Sequence, residues 1–239
     1  MSQNKTNFAV PLAFVGMMFF AIGFALGINS FLIPVLKGAL SLPSGVAYLL
    51  LAATFVPFLI FGYPASATIA KIGYKRTMAL SFLIFAVAFI LFVLSAKLEN
   101  FILFLIASFV SGAANAYLQA SVNPYITILG PIESAAKRMS IMGICNKLAW
   151  PVAPLFFALV VADQTNVQTS DLYLPFYIII GVFLLLGIIS LMAPLPEVKA
   201  AGEDESDTAN CPYAANKTSI WQFPHLVLGA LTLFIYVGV

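Results

Sequence analysis

Residues 101–128 read FILFLIASFVSGAANAYLQASVNPYITI, without one charged side chain. A helix needs about 20 predominantly apolar residues to cross a hydrocarbon core roughly 30 Å thick, and this run supplies them with some to spare. The apolar positions are continuous and do not alternate with period two, which excludes a strand of a membrane barrel. Five more runs of the same kind lie at 9–36, 45–70, 77–96, 140–162 and 172–193. The chain as a whole has 239 residues, 62% of them apolar and 8% charged, with a mean hydropathy of +1.03. Soluble domains run near 45–50% apolar and about 25% charged. Too few charges remain to cover a water-facing surface, so an ordinary cytosolic enzyme, a nucleic-acid binder and a disordered chain are excluded. The expected fold is an all-α polytopic membrane protein whose main partner is the lipid bilayer. The first run is too long for a cleaved signal peptide, and five spans follow it.

The few charges set the orientation. Lys5 precedes the first run; Lys71, Lys75 and Arg76 lie between the second and third; Lys137 and Arg138 lie between the fourth and fifth. The alternate connections carry only Lys37 and Lys97. By the positive-inside rule, the amino terminus and the 2–3 and 4–5 loops are predicted to be cytoplasmic.

After residue 193 the composition changes. Residues 194–219 hold Glu203, Asp204, Glu205 and Asp207, too little apolar surface to fold alone, and read as a cytoplasmic linker. A seventh apolar run, within 220–239, is expected to be the start of another helix, with Pro224 and His225 near its mouth. The expected organisation is therefore a six-helix transmembrane bundle over 1–193, the linker, and the opening of a second half that lies beyond Val239. Six helices, a linker and more is the layout of a two-halved carrier.

Polar groups at membrane depth are costly and usually face a bundle interior or a cavity. Asn115, Gln119 and Asn123 recur every four residues, a step that advances only about 40° around a helix, so they form one stripe. Pro124 follows and frees a backbone carbonyl one turn back. Such a stripe either joins helices by hydrogen bonds or lines a ligand cavity; three amides beside a proline favour the cavity. In the first run Gly23 and Gly27 form a small-residue face for close helix packing, and Asn29 and Ser30 beyond it are cavity candidates before Pro34. In the fifth, Asn146 and Lys147 are placed about two turns from the basic loop, with Lys147 the only charge inside any of the six predicted helices. It either snorkels to the headgroups or serves as a buried functional cation. No Asp or Glu falls within any of the six runs. Cys145, Cys211 and the single His225 offer neither a metal-ligand cluster nor a disulfide framework, so no metal or organic cofactor is expected. Without a nucleophile–base pair at membrane depth, an intramembrane enzyme is not expected either.

The run from Tyr117 to Pro131, YLQASVNPYITILGP, followed by Ser134-Ala-Ala-Lys-Arg-Met-Ser and Gly143-Ile-Cys-Asn-Lys147, resembles the fucose permease-type family of the major facilitator superfamily. Phe31-Leu-Ile-Pro-Val-Leu-Lys37, Gly73-Tyr-Lys-Arg76 and Phe223-Pro-His-Leu-Val-Leu-Gly229 fit the same pattern. The resemblance implies twelve helices in two halves, each a 3+3 inverted repeat, with a sugar site between them at mid-membrane and no bond made or broken. It implies sugar-binding roles for Gln119 and Asn146, with Asn115, Asn29, Ser30 and Asn123 as further candidates, and a gating role for Lys71, Lys75 and Arg76. In the fucose/proton symporter, carboxylates stand at the positions matching Ser30 and Gln119. The neutral residues here suit glucose/galactose-type members and leave a proton or a sodium ion open as the coupling ion. L-fucose/proton symport is the alternative at the level of substrate. A fragment that transports nothing by itself, or a non-transporting membrane sensor whose amides only join helices, are the alternatives at the level of function.

Overall fold

A computed structural model describes residues 9–161, 167–193 and 222–238. They are helical almost throughout: α1 (Ala9–Ala39), a short α2 (Ser44–Ala47), α3 (Leu49–Lys97), α4 (Phe101–Ile128), α5 (Ala135–Val160), α6 (Tyr173–Met192) and α7 (Pro224–Gly238). The predicted acidic linker lies outside the described residues. The chain divides into two compact units, 1–198 and 199–239. In the second, α7 opens at Pro224, whose missing N–H costs nothing in a first turn, and His225 follows at the predicted helix mouth with its ring edge against Phe223.

The second and third predicted spans are the two arms of α3. Gly73 has φ 82° and ψ 169°, which breaks the helix between them; only glycine takes such a backbone without strain. The aromatic contacts show that the chain turns back there. Tyr74 meets Tyr125 near the end of α4, whereas Phe92 meets Phe104 near its start. On the other arm, Thr54 lies against Gly112 and Phe61 against Tyr117. The arm 49–72 therefore runs parallel to α4 and the arm 74–97 antiparallel to it. By the same reasoning α1 and α5 run parallel, with Gly16 beside Met142, Gly27 beside Trp150 and Phe31 beside Phe157. Helix α6 runs antiparallel to the second arm, pairing Phe176 with Phe92 and Phe183 with Phe85. The two arms of α3 and helices α1, α4, α5 and α6 thus alternate in direction.

Lipid is as apolar as leucine, so close packing, not burial from water, holds such helices together. The predicted small-residue face of α1 does this. A Cβ on Gly27 would come within 2.7 Å of the Trp150 carbonyl oxygen, and one on Gly23 would collide with that of Asn146. Gly112 of α4 meets the Thr54 carbonyl of α3 in the same way. A second contact set is aromatic: Phe82, Phe85, Phe89 and Phe92 of α3 interleave with Phe176 and Phe183 of α6, all fully or almost fully buried. Each such pair contributes about 0.5–1.5 kcal/mol beyond area.

The helices overrun the apolar runs. Lys37, Lys71, Lys75, Arg76, Lys97, Lys137 and Arg138 are all helical, so Lys147 is not the only charge in these helices, although it is the only one far from a helix end. The α3 turn, the end of α4, the start of α5 and the end of α6 share one end of the bundle. Lys71, Lys75, Arg76, Lys137 and Arg138 gather there. Arg138 is more than an orientation charge. It is buried, and donates from Nε to Ile126 O (3.1 Å), from Nη1 to Pro131 O (2.9 Å) and Ser134 Oγ, and from Nη2 to Thr127 O (3.0 Å). It thereby satisfies carbonyls that the end of α4 leaves without a helical partner. At the opposite end Asn100 caps α4, accepting from the Ile102 and Leu103 N–H groups at 2.9 and 3.3 Å.

Candidate functional site

The amides identified in the sequence have different surroundings. Asn29 is fully buried where α1 meets α4. Its Nδ2 donates to Ala25 O at 3.0 Å and to Ser111 Oγ at 3.4 Å, and its Oδ1 accepts from Ser108 Oγ at 3.1 Å. Asn29 is thus committed to joining two helices. Ser30 donates to Leu26 O of its own helix at 3.1 Å. Asn115 is also fully buried, yet neither Nδ2 nor Oδ1 has a hydrogen-bond partner among the described residues. Such an orphan costs about 1–3 kcal/mol.

Further along α4 the stripe opens. Gln119 and Asn123 face a recess of about 180 Å³, shared with Phe19 and Ile22 of α1 and with Gly143, Asn146 and Lys147 of α5. The four-residue spacing carries the stripe from the sealed α1–α4 contact at Ser111 and Asn115 to this opening. Asn146 donates from Nδ2 to Phe19 O at 3.1 Å, which fixes α5 against α1 and leaves its Oδ1 without a partner among the described residues. Closed ligand pockets occupy roughly 300–1,000 Å³, so this recess by itself is smaller than one.

Helix α5 starts at Ala135, among polar residues ahead of its apolar run, and Lys147 lies twelve residues in, with its side chain exposed. The ammonium sits 5.2 Å from the centre of the Trp150 ring, and a cation over an indole face is stabilised by the ring quadrupole. Trp150 is therefore engaged by Lys147. Tyr117, another aromatic near the stripe, turns toward Phe61 at 6.1 Å. Lys71 and Arg76 are exposed on either side of the Gly73 reversal, and Lys75 is half-buried. Cys145 is half-buried and lines an apolar groove of about 550 Å³ along α1, α5 and α6.

An amide can donate and accept at once. Gln119, Asn123 and the free Oδ1 of Asn146 could therefore hold the hydroxyls of a neutral polyol, while the Lys147 ammonium adds a donor. Helices α1, α4 and α5 together wall this recess. Residues 14–239 match the Major Facilitator Superfamily, and the chain belongs to that family of integral membrane proteins. It is 32% identical over 242 residues to a glucose/galactose transporter of Brucella abortus, covering 99% of this chain and 57% of that protein. It is 23% identical over 255 residues to the L-fucose-proton symporter of Escherichia coli, covering 98% and 58%. In fold it resembles a crystal structure of the E. coli fucose:proton symporter FucP, with a TM-score of 0.75 at 23% identity over 97% of this chain and 60% of that one. A second FucP structure, in the outward conformation, gives 0.69 over 87% and 55%. The chain thus spans somewhat more than half the length of the relatives it matches.

Proposed function

We propose that this chain forms the first wall of a monosaccharide carrier of the bacterial inner membrane, with glucose, galactose or a related hexose as cargo. The observation that carries this reading is the recess itself. Gln119, Asn123 and Asn146 bring uncommitted hydrogen-bonding capacity together beside Lys147, whereas the buried Asn29 is saturated. In this reading Gln119 and Asn146 bind sugar hydroxyls, with Asn123 and Lys147 at the rim. Behind them Asn29 holds α1 against α4 through Ser108 and Ser111, while Ser30 bonds within its own helix and Asn115 stands as a further candidate for the sugar. A second six-helix half completes the cavity, and rocking of the two halves alternates its access. The pairing of α1 on α5 and of α4 on the first arm of α3, each through glycine against a carbonyl, supports a 3+3 inverted repeat. Lys71, Lys75 and Arg76 flank the α3 turn and brace the cytoplasmic gate in one of its states. All nine acidic residues lie outside the six apolar runs, so no carboxylate within those runs takes part in coupling a proton or a sodium ion.

The test is uptake of radiolabelled glucose, galactose and L-fucose by the complete carrier with Gln119→Ala. Uptake should fall to background at unchanged membrane levels. Near-normal uptake would remove Gln119 from the site.

A further inference from the structure

The face of the bundle where α3 meets α6 carries an apolar groove apart from the α1–α4–α5 recess. The two helices run antiparallel, so Arg76 stands opposite Leu191, Leu80 opposite Ile188, and Leu83 opposite Leu184. Between these rungs runs a groove of about 320 Å³. Its sides, Leu83, Leu184, Ile188 and Leu191, are between 42 and 55% exposed. Its floor is set by Gly187, where an added Cβ would press on Phe82 Cβ at 3.4 Å. From Arg76 to Leu83 is seven residues, about 10 Å of depth along the helix. The groove thus enters from the basic end and descends into the apolar zone.

Arg76 at its mouth is exposed and makes no hydrogen bond or ion pair among the described residues. Lys71, Lys75 and Lys137 give the same end of the bundle a positive field, against the one described acid there, Glu133. A guanidinium is a fork that grips phosphate oxygens two at a time. An apolar slot capped by such a fork, at a lipid-facing surface, has the chemistry of a phospholipid with a net negative charge. We propose that the α3–α6 groove is a binding site for an anionic phospholipid, whose phosphate sits on Arg76 and whose acyl chain lies along Leu80, Leu83 and Ile188. Zwitterionic lipid can occupy the slot but gains nothing from the surrounding positive field. The bound lipid would fill the seam between α3 and α6 at the end where the α3 turn and the α6 terminus meet.

The complete protein is reconstituted in nanodiscs of equal phosphatidylglycerol and phosphatidylcholine, and retained lipids are counted by native mass spectrometry. A photo-crosslinking residue at Leu191 locates them. Phosphatidylglycerol should be retained and crosslinked in preference to phosphatidylcholine. Arg76→Gln should lower that preference about fivefold, the change expected from one basic side chain at an anionic surface. Lys71→Gln, which removes the same charge away from the groove, should change it less than twofold. Leu83→Trp, which fills the slot, should reduce crosslinking of both lipids. Equal retention of the two lipids by the parent protein, equal effects of Arg76→Gln and Lys71→Gln, or crosslinking untouched by Leu83→Trp would each overturn the proposal.

Discussion

Gly23→Ala adds one methyl group, and the structure says where it goes. The new Cβ would overlap the carbonyl oxygen of Asn146 and lie 2.9 Å from its carbonyl carbon and 3.0 Å from Ala149 Cβ. Ordinary contact begins at 3.4 Å, so α1 and α5 must part by about half an ångström to relieve the carbon contact alone, and by more for the oxygen. The obstacle is helix backbone, which cannot swing aside as a long side chain could. The same movement stretches the 3.1 Å bond from Asn146 Nδ2 to Phe19 O beyond hydrogen-bonding distance. Overpacking costs about 1–3 kcal/mol and the interhelical hydrogen bond about 0.6 kcal/mol or somewhat more. Gly23→Ala should therefore destabilise the protein by about 2–4 kcal/mol. Gly62→Ala is the matched control: it lies within α3 with nothing within 4 Å of its added Cβ and should stabilise by about 0.5–1 kcal/mol. Thermal unfolding of the complete protein in detergent reads both, and sugar affinity should fall with Gly23→Ala alone because Asn146 loses its tether. Equal melting temperatures for the two variants would refute the close packing of α1 on α5.

Three further outcomes follow from particular side chains. Arg138→Gln should lower stability by about 2–3 kcal/mol in the same assay, because one guanidinium joins the end of α4 to the start of α5 through four acceptors; Arg138→Lys, lacking the planar fork, should recover little. Asn29→Leu should cost about 1–2 kcal/mol by stripping partners from Ser108 and Ser111, while Asn115→Leu should be neutral or stabilising because it removes an unpaired buried amide. Loss of sugar binding in Asn115→Leu with stability intact would show that the amide reaches cargo. Lys147→Met should retain the fold and weaken sugar affinity, read as a raised KM with membrane levels unchanged.

Much of the architecture was legible in the sequence because the bilayer leaves few choices. Long apolar runs must be helices, and Gly23 and Gly27 could be read as a packing face from spacing alone. The turn at Gly73 was located only as a loop; its tightness depends on a positive φ that composition does not display. Spacing also placed Asn115, Gln119 and Asn123 on one stripe, but not where that stripe passes from a sealed contact into an opening. That depends on how α5 leans against α1, which Asn146 and the two glycines decide. Asn29 looked like Gln119 in the sequence because both are polar groups at membrane depth. They differ only in their neighbours, since Ser108 and Ser111 saturate Asn29. Arg138 went unnoticed as a structural residue because a basic residue in a short loop already had a reason to be there.

In the proposed carrier the recess between α1, α4 and α5 holds the sugar. Asn123→Cys, in the complete carrier with Cys145 and Cys211 replaced by serine, places a thiol on its rim for alkylation by a maleimide. Saturating transported hexose should slow that alkylation severalfold, and Gln119→Ala should abolish the protection. An alkylation rate indifferent to sugar, in a carrier that still transports it, would place the sugar elsewhere.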